Sequence, residues 1–228
     1  MSELARYSLQ NGVAVIGMDD GKANALSHDM LDAVGSALDR AGDEEAGAVV
    51  LTGRPGRFSA GFDLSVMRAG DGDAVQALVK KGAQLALRLF ESPRPVVLGV
   101  NGHALAMGAV LCLAADIRIG TRGEYKIGLN EVAIGMALPA FALVLSKERL
   151  SRRHLARATA NAEIYLPENA VDAGYLDWVV DEGETEQAAI DYASGMASGL
   201  HAKAHQLTKA AVRESALERL RAATGLAP

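Results

Sequence analysis

Apolar and polar residues follow two different periods along the first half of the chain. Short apolar runs predict buried strands at residues 13–18, 47–51 and 96–100. The first run is separated from the alternating residues 7–9 by Asn11-Gly12, a pair typical of a β-hairpin turn. Apolar residues at helical spacing predict two helices, one after the N-cap Ser27 to near Gly42 and one at about 74–90. This alternation of strands and helices favours a layered α/β fold.

Residues 95–116 combine the third apolar run, a turn at Asn101-Gly102 and a helix that begins near Leu105. Because this helix is apolar on all sides, it has to be buried. Its first N–H groups, near Met107 and Gly108, would then lie at the end of a sheet, where unpaired donors can stabilise negative charge on an oxygen. An ordinary core strand and helix would show the same pattern. Other parts of the chain are needed to distinguish an oxyanion-binding site from a purely structural element.

The second half of the chain is predicted to be mainly helical after one short strand at 117–119. The helices are expected at about 140–149, 151–160, 167–173, 184–198 and 203–222. We assign residues 1–180 to the core and residues 181–228 to a helical C-terminal region that offers a surface for assembly.

Composition excludes several classes of function. The chain has 228 residues and a net charge of −5, which argues against general binding to nucleic acid or anionic membranes. Cys112 is the only cysteine, so an internal disulfide and a cysteine metal cluster are excluded. The histidines show no metal-ligand spacing, and Ala104–Ala109 lacks the G-x-G-x-x-G pattern of a nicotinamide site. With no signal-peptide pattern and no apolar run near ~20 residues, we expect a cytoplasmic protein.

Two motifs together resemble those of a known family. They are Phe58-Ser-Ala-Gly-Phe-Asp-Leu64 and Asn101-Gly-His-Ala-Leu-Ala-Met-Gly108, with Asp116 beyond the second. In this combination the chain is similar, over nearly its whole length, to the enoyl-CoA hydratase/isomerase or crotonase family. The resemblance implies a crotonase-like α/β fold of repeated ββα units with a helical C-terminal region. It also implies a coenzyme A thioester as substrate, no separate cofactor or metal, and a homotrimer or hexamer.

The resemblance implies an oxyanion hole formed by the backbone N–H groups of Phe62 and Met107. Most family members have glycine at the Met107 position, so its side chain could narrow the pocket or contact the acyl chain. The implied contacts to coenzyme A are Lys22, Ala23, Ala25, Leu26, Ala60, Gly61, Asp63, Leu64 and Gly108. Among them, backbone groups of Ala25, Ala60 and Leu64 would bind the adenine, and Lys22 would lie near phosphate. Arg54 or Arg57 could assist, although a solvated loop is the alternative for all three cations.

The acid and base positions decide between reactions of the family. Its hydratases use two glutamates; the first position is Val110 here, and the second is Glu131. The apolar neighbours Ile127, Leu129, Val132 and Ile134 should raise the pKa of Glu131 toward neutrality. The alternative is a structural carboxylate that caps nearby backbone.

A single base suits movement of a double bond from the β,γ to the α,β position of an acyl-CoA. The segment Ile127-Gly-Leu-Asn-Glu131 followed by Pro139 resembles mitochondrial-type enoyl-CoA isomerases, so an isomerase is the leading hypothesis. The alternatives are an enoyl-CoA hydratase or another crotonase reaction, and a non-catalytic acyl-CoA-binding subunit. Asp63 and His103 are expected to be structural, with His103 in a turn, and Asp116 to shape the end of the buried helix. Many family members extend beyond the position of Pro228, so closure of the acyl pocket is expected to differ.

Overall fold

A computed structural model describes residues 4–69 and 71–225 of the protein. The strands in chain order are β1 (Ala5–Gln10), β2 (Val13–Met18), β3 (Ala25–Leu26), β4 (Ala48–Thr52), β5 (Gly56–Ser59), β6 (Gly61–Phe62), β7 (Val96–Val100), β8 (Gly102–Leu105), β9 (Ile117–Thr121), β10 (Ile127–Gly128) and β11 (Trp178–Val180). The helices are α1 (His28–Asp43), α2 (Leu64–Arg68), α3 (Gly72–Glu91), α4 (Met107–Ala114), α5 (Ala140–Arg149), α6 (Arg152–Ala158), α7 (Pro167–Ala173), α8 (Thr185–Gly199) and α9 (Ala202–Thr224), with a 3-10 turn at Val132–Ile134. The predicted hairpin, the Ser27 N-cap and the buried helix α4 are confirmed.

The largest sheet has six strands in the order β1-β2-β4-β7-β9-β11, and all neighbours except β1 and β2 are parallel. Every residue of β2, β4 and β7 is buried because helices cover both faces of this sheet. Helix α8 covers the face that carries Val13, Val15 and Val50. The alternate residues, such as Ile16 and Leu51, face the main core with α1, α3 and α4.

The chain leaves the large sheet directly after β7 and continues as β8, which pairs with β5 and β10 in a second, parallel sheet. The expectation of a simple turn at Asn101-Gly102 is therefore wrong, and His103 lies in a strand rather than in a turn. The Asn101 side chain fixes this exit by exchanging hydrogen bonds with the N–H and carbonyl of Gly53. The imidazole Nδ1 of His103 accepts from the Lys126 N–H at 2.8 Å, which agrees with the structural role expected for it.

The C-terminal helix is tied to the core through Asp116. Its carboxylate accepts from the Val96 N–H at 2.7 Å and forms ion pairs with Lys209 and Arg213 of α9, both at 2.6 Å. All three charged side chains are largely buried, so losing one partner would leave an uncompensated charge. Helix α8 packs against the large sheet, and α9 packs against α3 and α5. The division of the chain into a core of residues 1–180 and a C-terminal region of residues 181–228 stays a prediction. Among the described residues, no helix is both long and apolar enough to cross a membrane.

Candidate active site

Two loops, one after β2 and one after β5, are held together by Asn24 and Ser59. The fully buried Asn24 amide donates to the carbonyls of Arg57 at 3.0 Å and Phe58 at 3.2 Å. In return, the Ser59 hydroxyl donates to the Asn24 carbonyl at 2.8 Å and accepts from the Gly61 N–H at 3.2 Å. Strands β3 and β6 then pair in parallel, so the loops form one rigid unit.

This unit touches the N-terminus of α4 at Gly61. The φ of Gly61 is +91°, and a Cβ there would lie 2.8 Å from the Ala106 Cβ and 3.2 Å from the Met107 nitrogen. Only glycine permits so close an approach. Met107 is the first residue of α4, so its N–H belongs to the four that have no acceptor within a helix. The contact places the backbone of Phe62, the next residue, beside these free donors.

Ala106, the residue before α4, has φ 49° and ψ −123°. A non-glycine residue in this region costs about 1–3 kcal/mol, and such strain persists where the surroundings fix the backbone. The strain sets the direction in which the first N–H groups of α4 point. Sequence reasoning missed it because alanine gives no local signal of an unusual backbone.

Phe62, Met107, Val110 and Glu131 line one cavity of about 530 Å³. The rest of its lining is mostly apolar and includes Leu64, Met67, Val75, Val79, Ile134 and Phe141. In the described part of the chain, Glu131 is the only carboxylic acid that lines this cavity; the other ionisable side chain there is Arg68. The structure therefore brings together the three residues expected to be catalytic, with Val110 in the lining of the same cavity.

Glu131 is a buried acid with one unpaired carboxylate oxygen. It is 6% exposed, and its Oε2 accepts no hydrogen bond from the described residues. Burial raises the pKa of Glu131 to about 6. Its neighbour Val132 is 43% exposed and does not line the cavity, so the expectation that it surrounds the carboxylate is wrong, whereas Ile134, 53% exposed, lines the cavity together with Glu131. Both residues belong to the 3-10 turn that directly follows Glu131.

The residues expected to contact coenzyme A lie around the same two loops. The N–H of Ala25 donates to the Asp20 carboxylate at 2.9 Å, and the N–H of Ala60 donates to the Ala23 carbonyl at 3.0 Å. The Ala25 carbonyl also accepts from the Ser27 N–H at 3.0 Å. Leu26 is fully buried in the core.

Other members of the expected set have structural contacts. Asp63 caps α2 by accepting from the Ser65 N–H at 2.8 Å, as expected for a residue that shapes its loop. A Cβ at Gly108 would lie 2.5 Å from the Ser59 carbonyl oxygen, so this glycine serves close packing. Lys22 and Leu64 are exposed.

The cations near this loop differ in how they are held. Arg54 donates to the Lys22 carbonyl at 3.2 Å and lies 3.5 Å from the Asp19 carboxylate, so it stabilises the loop itself. Arg57 donates to the carbonyl of Gly56, its neighbour in the chain. The roles of all these residues toward coenzyme A stay predictions. Across residues 4–69 and 71–225, no group of three or more acidic, histidine or cysteine side chains is placed to hold a metal ion.

A buried carboxylate and the unpaired N–H groups at the start of α4, beside an apolar cavity, suit proton transfer at a carbon next to a carbonyl. The family model for enoyl-CoA hydratase/isomerase matches residues 8–226, and the chain belongs to this family. Human mitochondrial enoyl-CoA delta isomerase 1 is 33% identical over 214 residues, which cover 92% of this chain and 70% of that protein.

Solved structures agree with this assignment. An enoyl-CoA hydratase/isomerase family protein from Pseudomonas syringae superposes with a TM-score of 0.94 at 41% identity, covering 98% of this chain and 96% of the other. An enoyl-CoA isomerase of Mycobacterium tuberculosis gives a TM-score of 0.94 at 39% identity, with 99% and 97% covered. The fold is the crotonase α/β fold with repeated ββα units and C-terminal helices, as predicted, and the protein is a crotonase-family enzyme that acts on acyl-CoA.

Proposed function

We propose that the protein is an enoyl-CoA isomerase that converts a β,γ-enoyl-CoA into the α,β-enoyl-CoA. One observation carries the proposal: Glu131 is the only acid among the described residues that line the cavity. Val110, which the family resemblance puts at the first glutamate position of hydratases, lines the same cavity and has no proton to exchange. Hydration needs one group to activate water and another to serve the carbon that gains a proton. Isomerisation needs one group that removes a proton and returns it. The isomerase name of the human relative supports this choice, whereas the M. tuberculosis protein is described as an isomerase in one solved structure and as a probable hydratase in another.

In the proposed reaction, the Glu131 carboxylate removes a proton from C2 of the substrate. The electron pair of that C–H bond forms the C2=C1 bond of an enolate, and the thioester oxygen becomes negatively charged. The N–H groups of Phe62 and Met107 donate to this oxygen. Glu131 then returns its proton to C4, which shifts the C3=C4 double bond to C2=C3 and restores the thioester carbonyl. A base with a pKa of about 6 is matched to both transfers near neutral pH.

The direct test is the absorbance of the conjugated thioester with two substrates. With a 3-enoyl-CoA the absorbance should rise, and with a 2-enoyl-CoA in water it should stay constant apart from the reverse isomerisation. A fall caused by a 3-hydroxyacyl-CoA product would indicate a hydratase and overturn the proposal. Binding without turnover of either substrate would indicate an acyl-CoA-binding subunit. The homotrimer or hexamer and the cytoplasmic location stay predictions.

The pH dependence should report the titration of Glu131. Because the base must be deprotonated, kcat/KM should be constant above a midpoint near pH 6 and fall tenfold per pH unit below it. The phosphates of coenzyme A also titrate, so the Kd of unreactive butyryl-CoA over the same pH range is the control. A midpoint near 4.5 after that correction would show that the catalytic carboxyl is not desolvated.

A further inference from the structure

The side chains of the two residues with oxyanion-hole donors converge on one glycine of α3. A Cβ built on Gly82 would lie 2.4 and 2.5 Å from Cε1 and Cζ of the Phe62 ring, and 3.5 Å from Cε of Met107. Gly82 is buried, and Met107 is 1% exposed.

These contacts at Gly82 lie at one end of the cavity. Val75 and Val79 are one helical turn apart on α3, and both line the cavity. Gly82 follows after nearly another turn, but it does not line the cavity because Phe62 and Met107 cover it. The two side chains thus form an end wall, which we call the Gly82 wall, across the path along α3.

A second groove adjoins the cavity at Val79. Val79, Pro139 and Phe141 line both the cavity and this groove of about 780 Å³. An acyl chain that starts at the donors and cannot pass the Gly82 wall is left with the direction toward Val79 and this groove. The wall cannot move independently of the donors, because the same residues, Phe62 and Met107, provide both.

We propose that the Gly82 wall determines the substrate class: the site accepts long, unbranched acyl chains and rejects chains branched near the thioester. The proposal rests on the proposed function for the position of the thioester. A methyl group that a rigid apolar wall cannot accommodate typically changes selectivity by about 10–200-fold. Phe62 and Met107 therefore act as specificity-determining residues through their side chains, in addition to the backbone groups predicted to be catalytic.

The test measures Kd by calorimetry for butyryl-, octanoyl-, dodecanoyl- and 4-methyloctanoyl-CoA, so it needs no turnover. The wild-type protein should bind the unbranched C8 and C12 chains more tightly than C4, and bind the branched chain about tenfold more weakly than octanoyl-CoA. Phe62→Ala and Met107→Ala keep their N–H groups but remove the wall, and they should abolish the preference against the branch.

Gly82→Ala should push the Phe62 ring into the cavity beside the first carbons of the acyl chain and weaken the binding of butyryl- and octanoyl-CoA alike, about tenfold. Gly82→Ala/Phe62→Ala should restore octanoyl-CoA binding, because the new methyl group then has the space of the ring. Gly195→Ala in α8 is the matched control, since a Cβ there meets nothing within 4 Å.

Equal Kd values for branched and unbranched chains in the wild-type protein would overturn the proposal that the Gly82 wall determines the substrate class. A loss of all four ligands in Gly82→Ala that Phe62→Ala does not reverse would also overturn it. If Gly82→Ala does not fold, the binding preferences of Phe62→Ala and Met107→Ala test the proposal without it. Absence of isomerase activity with these binding preferences intact would refute the reaction but not the wall.

Discussion

Glu131→Gln should lower kcat by about 10³-fold or more and leave KM within a few-fold of the wild-type value. General acid–base catalysis by one positioned side chain contributes about 10²–10⁴-fold, and here the same carboxylate has to perform both proton transfers. Glutamine has almost the same shape but cannot take up the C2 proton. The oxyanion donors and the apolar cavity are unchanged, so substrate binding is retained.

The matched control is Glu124→Gln, which makes the same change at an exposed carboxylate outside the cavity. We expect wild-type kcat for this variant, measured by the rise of conjugated thioester absorbance from a 3-enoyl-CoA. Full isomerase activity in Glu131→Gln would contradict the proposed mechanism.

The same substitution should change stability in the opposite direction. Burial raises the pKa of Glu131 from 4.5 to about 6, so the folded state binds the proton more tightly than the unfolded state. Above pH 6 the charged, buried carboxylate therefore lowers the free energy of unfolding by about 2 kcal/mol. That stability returns as the pH falls from 6 toward 4.5. Glu131→Gln should accordingly unfold at a higher temperature than the wild-type protein at pH 7.5, with a smaller difference near pH 4.5.

Sequence patterns correctly predicted those elements whose structure depends on residues close to each other in the chain. The Asn11-Gly12 hairpin, the Ser27 cap and the apolar helix α4 each follow from neighbours a few residues apart. The short strands β8, β10 and β11 were missed because they contain two to four residues and exist only through pairing with distant partners. No period of hydrophobic residues can show up in so short a segment.

In the candidate site, too, some features were predictable from the sequence, whereas others depend on contacts between distant residues. Resemblance to family motifs predicted that Glu131, Phe62 and Met107 belong together, and the cavity contains all three. Nothing in the local sequence distinguishes Gly82 from any other helical glycine, since its importance comes from a ring that belongs to a residue twenty positions earlier. The strain at Ala106 is hidden for the same reason: distant contacts with the loop at Gly61 hold its backbone in place.

Gly61→Ala should lower kcat by about 10²–10³-fold, the effect of losing an oxyanion donor. The new methyl group would lie 2.8 Å from the Ala106 Cβ and 3.0 Å from the Leu105 carbonyl, so the loop has to move away from α4. This movement separates the N–H groups of Phe62 and Met107, which must point at the same oxygen.

A second glycine separates this effect from simple backbone strain. Gly12 in the β1–β2 hairpin has φ +77°, close to the +91° of Gly61, but a Cβ there meets nothing within 4 Å. Gly12→Ala should lose about 1–2 kcal/mol in the free energy of unfolding, measured by urea titration, because alanine is strained at positive φ. Gly61→Ala should lose more, because its methyl group also clashes with Ala106 and the Leu105 carbonyl. Only Gly61→Ala should lose kcat. If both variants keep wild-type kcat, contact between the loop and α4 does not position the donors, and the oxyanion hole has to be sought elsewhere in the cavity.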